Sequence, residues 1–139
     1  MNRIVLDASA MLAVLNDEPG SEKMTLEMLS RAVGSTVNLA EVHTKLVSHG
    51  GDPDEAWEDA LSAIQEAVPF DEEQARITGS LVAQTRALGL SLGDRACLAL
   101  GLALKAPVYT ADRSWKNLKV GVRIHVIRGR GDGGFRTRP

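Results

Sequence analysis

The chain has 139 residues, 44% of them hydrophobic and 24% charged, an ordinary composition for one soluble domain able to bury a core. Sixteen Lys and Arg against 18 Asp and Glu leave a net charge of −2, which neither announces nor excludes nucleic-acid binding, because local patches outweigh totals. A single cysteine, Cys97, excludes an internal disulfide and points to a reducing cytosol, and the absence of an apolar run of about 20 residues argues against a membrane span.

The N-terminal RIVL (3–6) is a β-branched apolar run stopped by Asp7, a short buried strand and a poor signal peptide. ASAMLAVLN (8–16) is apolar on nearly every side and reads as a buried helix, broken by NDEPG (16–20). SEKMTLEMLSRA (21–32) places Met24, Met28 and Leu29 on one helical face. STVN (35–38) is a second strand, with Asn38 as cap of a helix whose apolar face holds Leu39, Val42 and Leu46. GGDPDE (50–55) turns into a helix with Pro53 near its start and Trp57, Ala60, Leu61 and Ile64 at helical spacing.

VPF (68–70) is a third strand. Residues 72–88 predict one long helix through Ile77, Leu81, Val82 and Leu88, stopped by Gly89. In LSLGDRACLALGLALKAP no charge falls between Ala96 and Leu104, the pattern of a helix buried all round. PVYT (107–110) and RIHVI (123–127) are the fourth and fifth strands. Strands alternating with helices predict an α/β domain over residues 1–127 with a mostly parallel central sheet flanked by helices. Residues 128–139 carry four Gly, four Arg and one Asp; they read as a solvated flexible tail, with a basic arm for a phosphate backbone as the sharper alternative.

In an open parallel sheet, ligands bind at the carboxyl ends of the strands. Asp7 follows strand one directly, and Asp112 follows strand four by two residues. Glu41 falls in the first turn of the helix after strand two, and Asp94 in the first turn of the buried helix. All four carboxylates are therefore expected on one rim. Close carboxylates raise one another's pKa unless a cation supplies the missing charge. Oxygen-only ligation suits Mg²⁺, with Mn²⁺ accepting similar sites, and points to metal-dependent phosphodiester hydrolysis. Each acid also has a plain structural reading: Asp7 as a cap, Asp94 as a dipole partner, Asp112 as a turn former, Glu41 as a surface residue. Their recurrence at the ligand-binding rim is what favours the shared role.

The motifs IVLDASAMLAVL, EPG (18–20), NLAEV, LSLGDRACLALG and VYTADRSW occur in order from residue 4 to 115, with RIHVI as last strand. In these the sequence resembles the PIN-domain ribonucleases, most closely the VapC-type toxins of prokaryotic type II toxin–antitoxin pairs. The resemblance implies that Asp7, Glu41, Asp94 and Asp112 form an acidic quartet that activates water with Mg²⁺ or Mn²⁺. Asp7 and Asp94 would be direct ligands, and Asp112 and Glu41 would complete the site directly or through water. Ser9 and Thr110 match small hydroxyl positions that hold waters or an acid in place. The resemblance further implies endoribonuclease activity, a homodimer and a cognate antitoxin over the cleft. Arg95, Arg113 and Lys116 are the candidate contacts to RNA phosphates; Trp115 is read as packing under its loop rather than stacking on a base.

Other constellations fall away. His43, His49 and His125 lack metal-ligand spacing, and Gly79 and Ser80 sit mid-helix, the wrong context for a nucleophile elbow. Cys97 reads as a small buried apolar residue. A receiver-like phosphoacceptor would want paired acids after strand one and a Lys where Arg128 stands, and a dehalogenase-type phosphatase would want Asp-x-Asp where Asp7-Ala8-Ser9 stands. A non-catalytic partner-binding protein of the same fold, with residues 8–16 and 21–32 offering a groove, is the remaining alternative.

Overall fold

The computed structural model of the chain describes residues 2–128. Among them run β1 (Ile4–Leu6), α1 (Ala8–Leu15), α2 (Leu26–Leu29), β2 (Ala32–Ser35), α3 (Thr36–Ser48) and α4 (Pro53–Leu61). Then come β3 (Glu66–Val68), α5 (Glu72–Ser80), α6 (Val82–Thr85), α7 (Leu92–Leu104), β4 (Val108–Thr110) and β5 (Ile124–Val126). The five strands are all parallel, in the order β3-β2-β1-β4-β5. The expected α/β architecture is therefore the observed one. The reading of residues 129–139 as a flexible tail lies outside the described residues.

The strands alternate sides as the pleat requires. Ile4 and Leu6 face a core shared with α1, α3 and α4, while Val5, Val33 and Val108 face a second core built on α7. Residues 96–101 of α7 are buried without interruption, as the uncharged run predicts. Among the described residues no helix is long and apolar enough to cross a membrane.

The boundaries differ from expectation where polar side chains intervene. The second strand ends at Ser35, whose hydroxyl accepts from the Val37 N–H at 3.1 Å and starts α3 there. Asn38 is thus inside the helix rather than its cap, and Glu41 is in the second turn. The third strand ends at Val68 because Pro69 has no N–H for the ladder. Residues 21–32 do not form one helix: a 3₁₀ turn spans 21–23, and the Thr25 hydroxyl caps a new start by accepting from the Met28 N–H at 3.2 Å. The long helix over 72–88 is split at Leu81. Thr78 and Thr85 donate to the carbonyls of Gln74 (2.7 Å) and Leu81 (2.9 Å), a back-bonding that bends helices. Gly89, at φ +62°, ends the run as expected.

The EPG turn serves the last strand. Gly20 has φ +97°, and a Cβ there would meet the Ile127 carbonyl oxygen at 2.5 Å. Beside it, the Arg128 guanidinium pairs with Glu18. At the other end of the sheet, a Cβ on Gly101 would lie 2.6 Å from Val108 Cγ2 and 3.2 Å from the Ala106 carbonyl oxygen. That glycine lets α7 lie close against β4. Gly101→Ala is expected to destabilise the fold by about 1–3 kcal/mol through overpacking, seen as a lower urea midpoint; an unchanged midpoint would mean that the helix can retreat from β4 without cost.

Candidate functional site

The site is built outward from Asp7, which is 4% exposed at the end of the central strand. It caps α1, its Oδ1 accepting from the Ala10 N–H at 2.8 Å and from the Ser9 hydroxyl at 2.7 Å. Its Oδ2 accepts from the buried Thr110 hydroxyl at 2.6 Å, across the β1–β4 pair. Burial pushes its pKa up to about 6; the bonds from Thr110, Ala10 and Ser9 pull the other way, and the charge of Asp94 pushes up again. A carboxylate has about four acceptor directions, so three donors leave one open.

Ser9 and Thr110 do more than hold Asp7. Ser9 Oγ also accepts from the Ala111 N–H at 2.9 Å, and Thr110 Oγ1 from the Asp112 N–H at 3.0 Å. The two hydroxyls thus hold the backbone that carries Asp112. Asp112 is exposed, and its Oδ1 accepts from the Ser114 N–H (2.9 Å) and hydroxyl (2.7 Å), closing a short 3₁₀ turn.

Asp94 is half-buried at the third position of α7. Its Oδ2 accepts from the Ser91 N–H at 3.0 Å while Ser91 Oγ accepts from the Asp94 N–H at 3.1 Å, a reciprocal cap. Glu41 lies against this same helix start: a Cβ on Gly93 would be 2.1 Å from Glu41 Oε2. The link is Asn38, 1% exposed, whose Nδ2 donates to Glu41 Oε1 at 2.8 Å and to the Gly93 carbonyl at 3.0 Å. Its Oδ1 is buried with no partner among the described residues. Reading Asn38 as a cap missed this position, although its i,i+3 spacing from Glu41 was the available signal.

The charges converge on one neighbourhood. The buried Cys97 thiol is raised well above its usual pKa, first by burial and then by Asp7, Asp94 and Glu41. That burial suits the apolar reading of Cys97 and argues against a nucleophile. Among the described residues, however, no three His, Cys, Asp or Glu side chains stand close enough to form a ready metal cage. The donors instead suit a hard cation bound through one or two carboxylates and retaining water ligands.

Of the expected phosphate contacts, Arg113 and Lys116 are exposed beside Asp112, whereas Arg95 is half-buried with Nη1 donating to the Thr78 carbonyl at 2.9 Å. Trp115 is fully buried, the packing role expected of it. His43 meets the Trp57 ring edge-on at 5.3 Å and the Pro53 carbonyl at 2.9 Å, and His49 Nδ1 lies 2.8 Å from the Lys45 carbonyl; both have structural partners.

The family model described as PIN domain matches residues 4–121. No curated protein matches in sequence. Among solved structures, a chain of the DNA-bound VapBC from Salmonella typhimurium superposes with a TM-score of 0.70 at 19% identity, covering 91% of this chain and 99% of that one. A chain of the DNA-bound VapBC2 from Rickettsia felis gives 0.68 at 20% identity, with coverages of 88% and 97%. Mycobacterium tuberculosis VapC20, described as a sarcin–ricin-loop-cleaving toxin, gives 0.67 at 18% identity, with coverages of 86% and 98%. At these identities the likeness is one of fold.

The Asp7 shift sets a pH dependence. The unfolded chain loses this proton near 3.8 and the folded chain near 6. The neutral acid is tolerated below both values, and stability falls as pH rises between them, by on the order of 3 kcal/mol. Asp7→Asn should therefore unfold at a higher urea concentration than the parent at pH 7 in chelator, with the advantage vanishing near pH 4. An Asn variant no more stable at pH 7 would show that the donors already offset the burial.

Proposed function

Because this chain belongs to the PIN-domain family, which its residues 4–121 match, we propose that it is a metal-dependent endoribonuclease acting as the toxin of a type II toxin–antitoxin pair. The observation that carries the reading is Asp7: a buried carboxylate at the end of the central strand, raised by burial and by Asp94, with an acceptor direction left open. Such an arrangement is costly unless a positive charge is brought to it. The solved neighbours add that chains with this fold occur in toxin–antitoxin complexes and that one of them is described as a sarcin–ricin-loop-cleaving toxin.

In this proposal Asp7 and Asp94 hold the metal, Mg²⁺ or Mn²⁺, with Asp112 at the open side and Glu41 completing the quartet. When bound, the ion lowers the pKa of a coordinated water and offsets charge on the phosphodiester. The remaining work falls to the chain. Ser9 and Thr110 aim Asp7 and work against the burial that raises its pKa. Asn38 occupies Glu41 Oε1 and leaves Oε2 to orient an incoming water and accept its proton. Arg113 and Lys116 meet flanking phosphates. Residues 8–16 and 21–32, the latter with Leu26 87% exposed, are where an antitoxin helix would dock. A homodimer and a cytoplasmic location complete the reading.

Asp94→Asn keeps its shape and one oxygen but loses the charge. Purified, antitoxin-free protein should cut a mixed RNA pool into discrete fragments with Mg²⁺ or Mn²⁺ and none in chelator, and Asp94→Asn should lower the rate by more than about 100-fold. Equal cleavage by the variant would remove Asp94 from the site, and a folded parent inert with every metal would favour the partner-binding alternative. Asn38→Ala should act through Glu41, lowering kcat by about 10–100-fold with KM unchanged. A change in KM alone would assign Asn38 to substrate binding instead.

A further inference from the structure

From Arg113 to Arg128 the sequence holds five basic residues and no acidic one, in a chain whose net charge is −2. This stretch starts at the acidic rim, runs back to the opposite edge of the sheet and returns as β5, the outer strand beside β4. Two clefts line its course. The first, about 450 Å³, has Lys116, Lys119, Arg123 and His125 in its walls. The second, about 630 Å³, shares Arg123 and His125 and adds Lys105, Arg3 and Arg31 from the far edge.

The cations in this path are differently engaged. Arg3 pairs with Glu66 at 3.4 Å and Arg31 with Glu27 at 2.9 Å. Lys105, Lys116, Lys119 and Arg123 have no ion pair among the described residues. Between the two clefts the exposed His125 ring stacks on Tyr109 at a centroid distance of 4.7 Å and an interplanar angle of 22°. Burial and the neighbouring Arg123 hold its pKa below the usual histidine value, which favours an uncharged flat ring.

We infer that a single-stranded RNA leaves the acidic rim at Lys116 and follows the β5 flank, its phosphates on Lys119, Arg123 and Lys105 and one base on the open face of His125. Free cations in sequence along a groove with an aromatic platform between them are what a sequence-tolerant single-strand site requires. The track rests on the ribonuclease reading for the identity of its ligand, and its binding test does not depend on cleavage.

The test is fluorescence anisotropy with full-length Asp94→Asn protein and two labelled probes, a uridine dinucleotide and a long oligouridylate. Adding Lys119→Gln and Arg123→Gln should weaken binding of the long probe at least about tenfold and lower its log–log salt slope by about 0.7 for each phosphate no longer neutralised. The dinucleotide should be unaffected. The same charge removed from α5 and its neighbour, as Arg76→Gln with Arg86→Gln, should change neither. His125→Ala should weaken the long probe, and His125→Phe should restore it. Equal weakening for both probes, equal weakening in the α5 control, or no binding of the long probe would each overturn the track. Cleavage by the parent protein is scored separately. Metal-dependent cleavage with a long-probe affinity indifferent to Lys119 and Arg123 sinks the track and leaves the nuclease. No cleavage with an affinity that depends on them does the reverse.

Discussion

Putting a carboxylate under the end of a central strand is the constraint from which the rest of this structure follows. Removing an ionised Asp from water costs several kcal/mol unless donors replace the solvent. For Asp7 those donors come from two elements: Ser9 and the Ala10 N–H from the first turn of α1, and Thr110 from the end of β4. Strand β1 therefore cannot place its acid without β4 in register beside it and α1 starting at once. The same hydroxyls accept from the Ala111 and Asp112 N–H groups, so the placement of a second acid is a by-product of solvating the first.

The helix α7 carries the constraint to the other face of the sheet. It is a buried rod that touches β4 through Gly101 and Glu41 through Gly93, the two places where a Cβ would collide. Its first turn holds Asp94 in a reciprocal cap with Ser91, where the N-terminal dipole favours a negative charge. That stabilisation works against the repulsion from Asp7, so two acids can be kept near each other before any cation arrives. Asp94 is in this sense a fold residue whose placement also suits the role proposed for it, and the two explanations do not compete.

This division also explains what could be read from the residues alone. The buried elements were legible because burial leaves long apolar runs: RIVL, the uncharged span from Ala96 to Leu104, and VYT before Asp112. The rim was legible because parallel strands end their apolar runs on one edge, so the acids that follow them collect there. What could not be read was decided by single hydroxyls. Ser35 ended a strand early, Thr25 restarted a helix, and Thr78 and Thr85 bent one that periodicity made continuous. Asn38 was misplaced for the same reason: its side chain suits a cap, and only the approach of α7 gives it the Gly93 carbonyl and makes it a bridge.

A rim of carboxylates poses a difficulty for any enzyme that acts on a polyanion, because the field that holds a divalent cation also repels the substrate. One divalent cation would offset only part of the charge of four carboxylates and would leave nothing to attract a phosphate chain. The attraction must come from cations far enough from the acids not to be neutralised by them, yet continuous with them along the substrate's path. The acid-free stretch after Asp112 meets both conditions, because the chain that carries the last acid on the rim bears Lys116, Lys119 and Arg123 in the connection leading to the outer strand. On the proposed nuclease reading, segregating the two signs within one connection would let a protein of slightly negative net charge present a positive flank to RNA beside the acidic rim.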